Sequence, residues 1–220
     1  MIDNQELPPH LLESLEIVPR DHPVALVTRH STRFPIVPNS QGVNIQLTPK
    51  GIRLAEEFGH MVPIPIQRVI SSPINRCIQT GVHMLRGAKV DIDISIEPLL
   101  GEPGAYVTDI ELAKDWFLYK TGLEMVNAQL QETAIPGTRS VKTGTRLLLK
   151  QLMKQLVAPG LVVAVTHDSV MSCTLFTLLG VDYIDEKEWP RMMEGFCLWW
   201  EHDHLALSWR GERYRPDYTW

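Results

Sequence analysis

At 220 residues, with 44% apolar and 21% charged side chains, the chain is long enough to bury a core and is not disordered by composition. Its net charge of −5 and pI near 5.9 lack the basic balance of a nucleic-acid or anionic-membrane binder. No run approaches the roughly 20 apolar residues that span a bilayer, the first ten residues do not read as a signal peptide, and the three scattered cysteines, Cys77, Cys173 and Cys197, suggest reduced thiols in a cytoplasmic protein.

Residues 1–22, punctuated by Pro8, Pro9 and Pro19, are expected to form a polar surface arm with at most a short helix. The apolar run 24–27 then predicts a strand that delivers Arg29-His30-Ser31-Thr32-Arg33-Phe34-Pro35 to its carboxyl end. In open α/β sheets ligands bind there, so Arg29, His30 and Arg33 should face one crevice. After a loop over 34–46, Thr48 and Pro49 have the chemistry of an N-cap and first helical residue, predicting a helix that ends near Gly59. Residues 67–71 read as a second strand, ending in Ser71-Ser72-Pro73-Ile74-Asn75-Arg76. Ser72 is expected to cap, and Pro73 to open, a helix to about Arg86, stopped by Gly87. Arg76 then falls in the first turn, where the helix dipole disfavours a cation unless an anion is bound. A solvated helix arginine is the ordinary alternative.

Residues 90–94 alternate apolar and acidic side chains, as in an edge strand with one wet face. From 97 to 139 the pattern is irregular: a loop around Glu102, a helix over 109–119, then breaks at Gly122, Pro136 and Gly137. A small cap over the site is expected at about 97–140. A long helix over 138–156 carries Val141, Thr145, Leu148, Leu149, Leu152 and Leu156 at helical spacing. The continuous apolar run 161–165 suits the buried centre of a parallel sheet and ends in Thr166-His167-Asp168-Ser169. A helix to Leu179 follows, stopped by Gly180, and residues 195–200 and 205–209 read as a hairpin. Strands alternating with helices give an α/β sandwich, a single domain over 1–220.

Two strands therefore end in histidine-bearing polar clusters. Three arginines imply an anion, because guanidinium forks match phosphate oxygens and stay charged. Neutral imidazole is a good nucleophile towards phosphorus, and a covalent step through His30 divides one difficult displacement into two easier ones. Phosphate monoester hydrolysis is among the slowest uncatalysed reactions, with enzymatic accelerations reaching about 10²¹-fold, so an acid must also protonate the leaving alkoxide.

Arg29-His30-Ser31-Thr32-Arg33-Phe34-Pro35 resembles the RHGxRxP signature of the histidine phosphatase superfamily. His167-Asp168 resembles the His-Asp motif of its acid phosphatase and phytase branch, in a chain shorter than that branch. Ser71-Ser72-Pro73 with Arg76, Gln79 and Thr80 is similar to the segment supplying the family's third phosphate-binding arginine. The resemblance implies a three-layer α/β/α sandwich of phosphoglycerate mutase-like type with a mostly parallel central sheet. By it His30 would be the phosphorylated nucleophile, Arg29, Arg33, Arg76 and His167 would bind the phosphoryl group, and neither metal nor other cofactor would be needed. Ser31 replaces the signature glycine, which either restricts the backbone or adds a hydroxyl contact to phosphate. Asp168 matches the proton donor of the acid phosphatase branch and is the preferred acid. Leu100-Gly101-Glu102 resembles the position of the glutamate donor in the phosphoglycerate mutase branch, leaving Glu102 as a pocket residue or co-donor.

The expected activity is hydrolysis of a small phosphorylated metabolite. The rivals are a mutase, which returns the phosphoryl group to substrate, and a non-catalytic phospholigand binder. The expected partner is the small-molecule substrate, with no nucleic acid and no membrane, and a homodimer is left open. His202 and His204 share a strand face but fit a wet hairpin turn better than a metal site. At least one of Trp199 and Trp200 should fill core or interface. Lys114, Lys120, Arg139 and Lys142 lie in or beside the cap and are read as a solvated face rather than a second anion site.

Overall fold

The apolar runs fold as buried strands whose successive side chains feed opposite faces of one sheet. The computed structural model describes residues 6–36 and 42–217. Its strands are β1 (Pro23–Arg29), β2 (Ile66–Ser71), β3 (Ile94–Ile96), β4 (Gly160–Thr166), β5 (Gly195–Glu201), β6 (His204–Trp209) and β7 (Glu212–Tyr214). They form a seven-stranded sheet in the order β3-β2-β4-β1-β5-β6-β7. The β3-β2-β4-β1 half is parallel, and β5, β6 and β7 continue it antiparallel, so five strands run one way while β5 and β7 oppose them.

Helices α1 (Pro9–Ile17), α2 (Pro49–Met61) and α3 (Asn75–Ala88) cover one face. There Val24, Leu26, Val163, Val165 and Trp199 meet Leu11, Phe58 and Met84. The other face carries α5 (Gly122–Leu130), α6 (Val141–Met153) and α7 (Asp168–Leu179). Their Val126, Leu149 and Met171 pack on Ala25, Val27, Ala164, Phe196 and Leu198. This is the expected three-layer sandwich. Between β3 and α6 lie a short 3-10 helix (Pro98–Leu100), α4 (Ile110–Tyr119) and α5, the segment expected to act as a cap.

Several local expectations change. The described part of the N-terminal stretch, residues 6–22, is not a surface arm: Leu11 and Leu15 of α1 are fully buried. Burial of such a side chain contributes about 1.5–3 kcal/mol, so their i, i+4 spacing ties the helix to the sheet. The edge strand starts at Ile94 rather than Val90. Helix α5 was concealed by its glycine, although Thr121 and Glu124 form a capping box. Gly87 does not stop α3; a Cβ there would lie 1.9 Å from the Glu56 carbonyl, and the helix ends with Lys89 in the left-handed region.

The cap of α2 is as predicted, Thr48 Oγ1 accepting from the Gly51 N–H. A Cβ on Gly51 would overlap the Thr32 carbonyl at 1.9 Å, so glycine lets α2 approach the loop after β1. Of the residues treated as loop at 34–46, positions 37–41 lie outside the described residues.

Candidate active site

Parallel pairing aligns the carboxyl ends of β1, β4 and β2. Arg29 is opposite Thr166, and Ser71 is opposite Val165. The His30 N–H donates to the Thr166 carbonyl at 2.9 Å and the Ser72 N–H to the Val165 carbonyl at 3.0 Å, extending the ladder into the loops. Residues far apart in sequence are thereby brought to one crevice: Arg29, His30 and Arg33 after β1, Arg76 in the first turn of α3, and His167 and Asp168 at the start of α7.

His30 is 3% exposed. Its Nδ1 is 2.8 Å from the Ser31 carbonyl, which can only accept, so Nδ1 carries the proton and Nε2 keeps its lone pair. Burial, followed by the charge of Arg29, holds the His30 pKa well below its ordinary value. The ring is therefore neutral at physiological pH. The His167 ring lies edge-on, with centroids 5.6 Å apart. Arg76 Nη2 donates to His167 Nδ1 at 3.1 Å, leaving Nε2–H to donate to Ser72 Oγ at 2.9 Å. Burial, with Arg76 adding to it, lowers the His167 pKa as well.

The three arginines differ in their tethers. Arg29 Nη2 is paired with Asp168 Oδ2 at 2.6 Å, and its Nη1 donates to the Pro190 carbonyl at 2.6 Å. Arg33 Nη1 donates to the Phe34 carbonyl, and Arg76 Nη1 to the Gly42 carbonyl. In all three, Nε–H is buried without an acceptor among the described residues. Burial lowers the pKa of Arg33, and then the charges of Arg76 and Arg29; burial also lowers that of Arg76. A cluster of cations with buried unpaired donors is costly unless an anion compensates it.

Ser31 resolves differently from either sequence alternative. Its Oγ donates to the Gly51 carbonyl at 2.8 Å, its N–H donates to Thr80 Oγ1 at 3.0 Å, and its φ is not positive. The hydroxyl ties the loop to α2 and does not turn towards the arginines. Ser72, expected as a helix cap, instead accepts from His167 and the Ile74 N–H. Helix α3 begins at Asn75 without a side-chain cap.

The two acids sit differently. Both oxygens of Asp168 are engaged: Oδ2 with Arg29, and Oδ1 as acceptor from the Ser169 N–H at 2.9 Å. Glu102 is exposed, and its carboxylate has no partner among the described residues. Its neighbour Gly101 lies hard against the site, since a Cβ there would come within 2.2 Å of Ser72 Oγ and 2.6 Å of His167 Nε2. Thr166 Oγ1 fastens this turn by donating to the Leu100 carbonyl at 2.5 Å.

Sequence reasoning missed the close approach of Gly101 to His167, Ser72 as partner of His167, and the Pro190 carbonyl behind Arg29. The last has no side-chain signal at all. Cys77 also touches His167, 3.6 Å from its Nε2, but burial pushes this thiol up to about 12, so it is not a nucleophile. The cations near the cap are otherwise occupied. Lys114 pairs with Glu111, Lys120 with Glu124 and Lys142 with Glu132, while Arg139 donates to the Ala105 and Val107 carbonyls. His204 pairs with Glu201 and Asp203 at the hairpin. Trp199 is core and Trp200 is partly exposed.

A family model described as histidine phosphatase superfamily, branch 1, matches residues 28–193. The kinship to the acid phosphatase branch suggested by His167-Asp168 is not confirmed by that match. A comparison with curated proteins finds no match. Among solved structures, the chain is similar to a phosphoserine phosphatase of Entamoeba histolytica at 20% identity and a TM-score of 0.57, covering 84% of this chain and 94% of that one. It is similar to a putative α-ribazole-5′-phosphate phosphatase of Escherichia coli at 12% identity and a TM-score of 0.56, covering 85% and 95%. A phosphoglycerate mutase of Bacillus anthracis matches at 14% identity and a TM-score of 0.54, covering 89% and 93%. At these identities the likeness is one of fold. Among the described residues, no helix is long and apolar enough to cross a membrane.

Proposed function

Because the chain belongs to the histidine phosphatase superfamily, we propose that it is a phosphomonoesterase working through a phosphohistidine on His30. The observation that carries this reading is the buried trio of unpaired guanidinium Nε–H donors beside a neutral imidazole with Nε2 free. Donors fixed in advance, in a crevice partly shielded from water, stabilise charge on transferring phosphoryl oxygens without reorganising. His30 Nε2 attacks phosphorus as the ester P–O bond breaks. Water then attacks the phosphohistidine, the P–N bond breaks and inorganic phosphate leaves.

The proton for the departing alkoxide comes from Glu102 in this reading, in place of Asp168. Asp168 would have to give up its pair with Arg29 to act as the acid, whereas Glu102 is unpaired and borders the turn against His167. After the alcohol leaves, the Glu102 carboxylate takes a proton from the attacking water, which returns it to the acid form. Asp168 is then a positioning residue that holds Arg29. The family also includes mutases, and the proposed outcome of the phosphoenzyme is hydrolysis.

The test is steady-state turnover of a panel of phosphomonoesters, with acid-labile phosphate measured on quenched protein. Wild type should release phosphate and carry label on His30. His30→Ala should lose both, with kcat/KM down by at least about 10⁴-fold. No turnover and no labelled histidine in wild type would refute the reading, whereas phosphoryl return to a second substrate hydroxyl in preference to water would make it a mutase.

A further inference from the structure

Beside the arginine cluster a cavity of about 720 Å³ runs beneath the segment between β3 and α6. None of the three arginines lines it, yet Gly101, Glu102 and Ser169 do, the chain neighbours of the site's His167 face and of Asp168. It therefore opens where the ester's leaving group would lie. Its walls include Val107, Ile110, Trp116, Phe117, Val126 and Ile135. Lys114 is the one cation among the described lining residues, and it is paired with Glu111 at 3.0 Å. Such a wall offers nothing to a second phosphate or carboxylate. Its volume falls in the range, about 300–1,000 Å³, that encloses a drug-sized molecule, and a small polar metabolite would leave most of it unfilled.

Polar side chains also line the wall, Glu111, Lys114, Thr138 and Gln129 among them. Gln129 of α5 is only 8% exposed, lines the cavity, and its amide has no hydrogen-bond partner among the described residues. Its amide is open to cavity water and would be left unpaired if an apolar ligand expelled that water, so a ligand group that meets it gains both affinity and discrimination.

Resting on the phosphatase reading, we infer that this cavity takes the alcohol part of the substrate, a bulky and largely apolar group carrying a polar function that hydrogen-bonds Gln129. The substrate class is then a phosphate monoester of a large hydrophobic alcohol rather than of a small polar metabolite. Aromatic walls at Trp116 and Phe117 suit a ring or a branched hydrocarbon.

The experiment compares kcat/KM for alkyl esters with similarly poor leaving groups: glycerol 3-phosphate, phosphoserine, decyl phosphate, 2-naphthylethyl phosphate, and a hydroxylated form of the last. Wild type should favour the bulky esters over glycerol 3-phosphate by at least about tenfold. Met125→Trp, which fills the cavity from α5, should lower that ratio about tenfold. Gln129→Leu should reduce the preference for the hydroxylated over the plain naphthyl ester. Turnover with a ratio near one that neither substitution changes overturns the inference and leaves the phosphatase reading standing. If no ester is hydrolysed, the phosphatase reading fails, and calorimetry on the same esters decides the cavity. Tighter binding of 2-naphthylethyl phosphate, weakened by Met125→Trp, supports it, and equal or absent binding overturns it.

Discussion

The arginine cluster and the segment over residues 97–139 are neighbours built on opposite principles. The cluster stands on the ends of three adjacent parallel strands, with Arg29, His30 and His167 each less than a tenth exposed and tied to backbone or to one another. In α4 only Ala113 is buried, while Leu112, Leu118 and Tyr119 are mostly exposed. Side chains held by strand ends and second-layer hydrogen bonds keep catalytic geometry, and loosely packed helices can open at little cost. Under the proposed function, phosphoryl binding and attack fall to the sheet, and proton donation and substrate choice to the appended segment.

The sharpest way to break this division lies at their seam. Glu102→Gln should reduce kcat/KM on an alkyl phosphate by about 10²–10⁴-fold and far less on an aryl phosphate, whose leaving group needs no proton. Asp168→Asn should depress both esters alike, because it loosens Arg29 and not the acid. If Asp168→Asn alone shows the leaving-group dependence, the acid belongs to the sheet and the division fails.

A smaller effect is expected from Gly101→Ala. The new methyl would displace His167 or Ser72, so activity on every ester should drop about 10²-fold, as it does for misplacements near 1 Å. Overpacking should also cost about 1–3 kcal/mol in a melt. A variant that melts and turns over like wild type would show that the turn is not rigid against the cluster.

The mildest prediction concerns acid. His30 and His167 both have pKa values lowered in the folded state, from 6.5. Below that pH the unfolded chain binds protons that the folded site resists, so stability is fully present above about pH 6.5 and declines as pH falls. Thermal unfolding followed between pH 8 and 5 should show this decline, and His167→Asn should flatten it. A variant slope equal to wild type would place the acid sensitivity outside His167.

The cluster was legible in the sequence because each of its parts follows an apolar run. Arg29 and His30 trail β1, and His167 and Asp168 trail β4, so strand direction alone predicted a shared crevice. Arg76 was marked by its conflict with a helix dipole and taken into the site through the resemblance of its segment. Less was legible where the signal is backbone or negative space. The Pro190 carbonyl, the absent side chain of Gly101 and the Ser31 bond to α2 involve groups that no residue pattern marks. The buried face of α1 was hidden by prolines, and α5 by Gly122, although Leu11 with Leu15 and Thr121 with Glu124 carried the information.

By itself, then, the sequence determined the alternation of strands and helices, the residues that end the central strands and the anionic chemistry they imply, all consequences of local periodicity and side-chain type. Only the tertiary structure decided which acid is free, where the Ser31 hydroxyl points and what kind of cavity adjoins the arginines. Those depend on contacts between segments far apart in the chain, such as Arg29 with Asp168 and Gly101 with His167, whose geometry is set by sheet register and packing rather than by any stretch read alone.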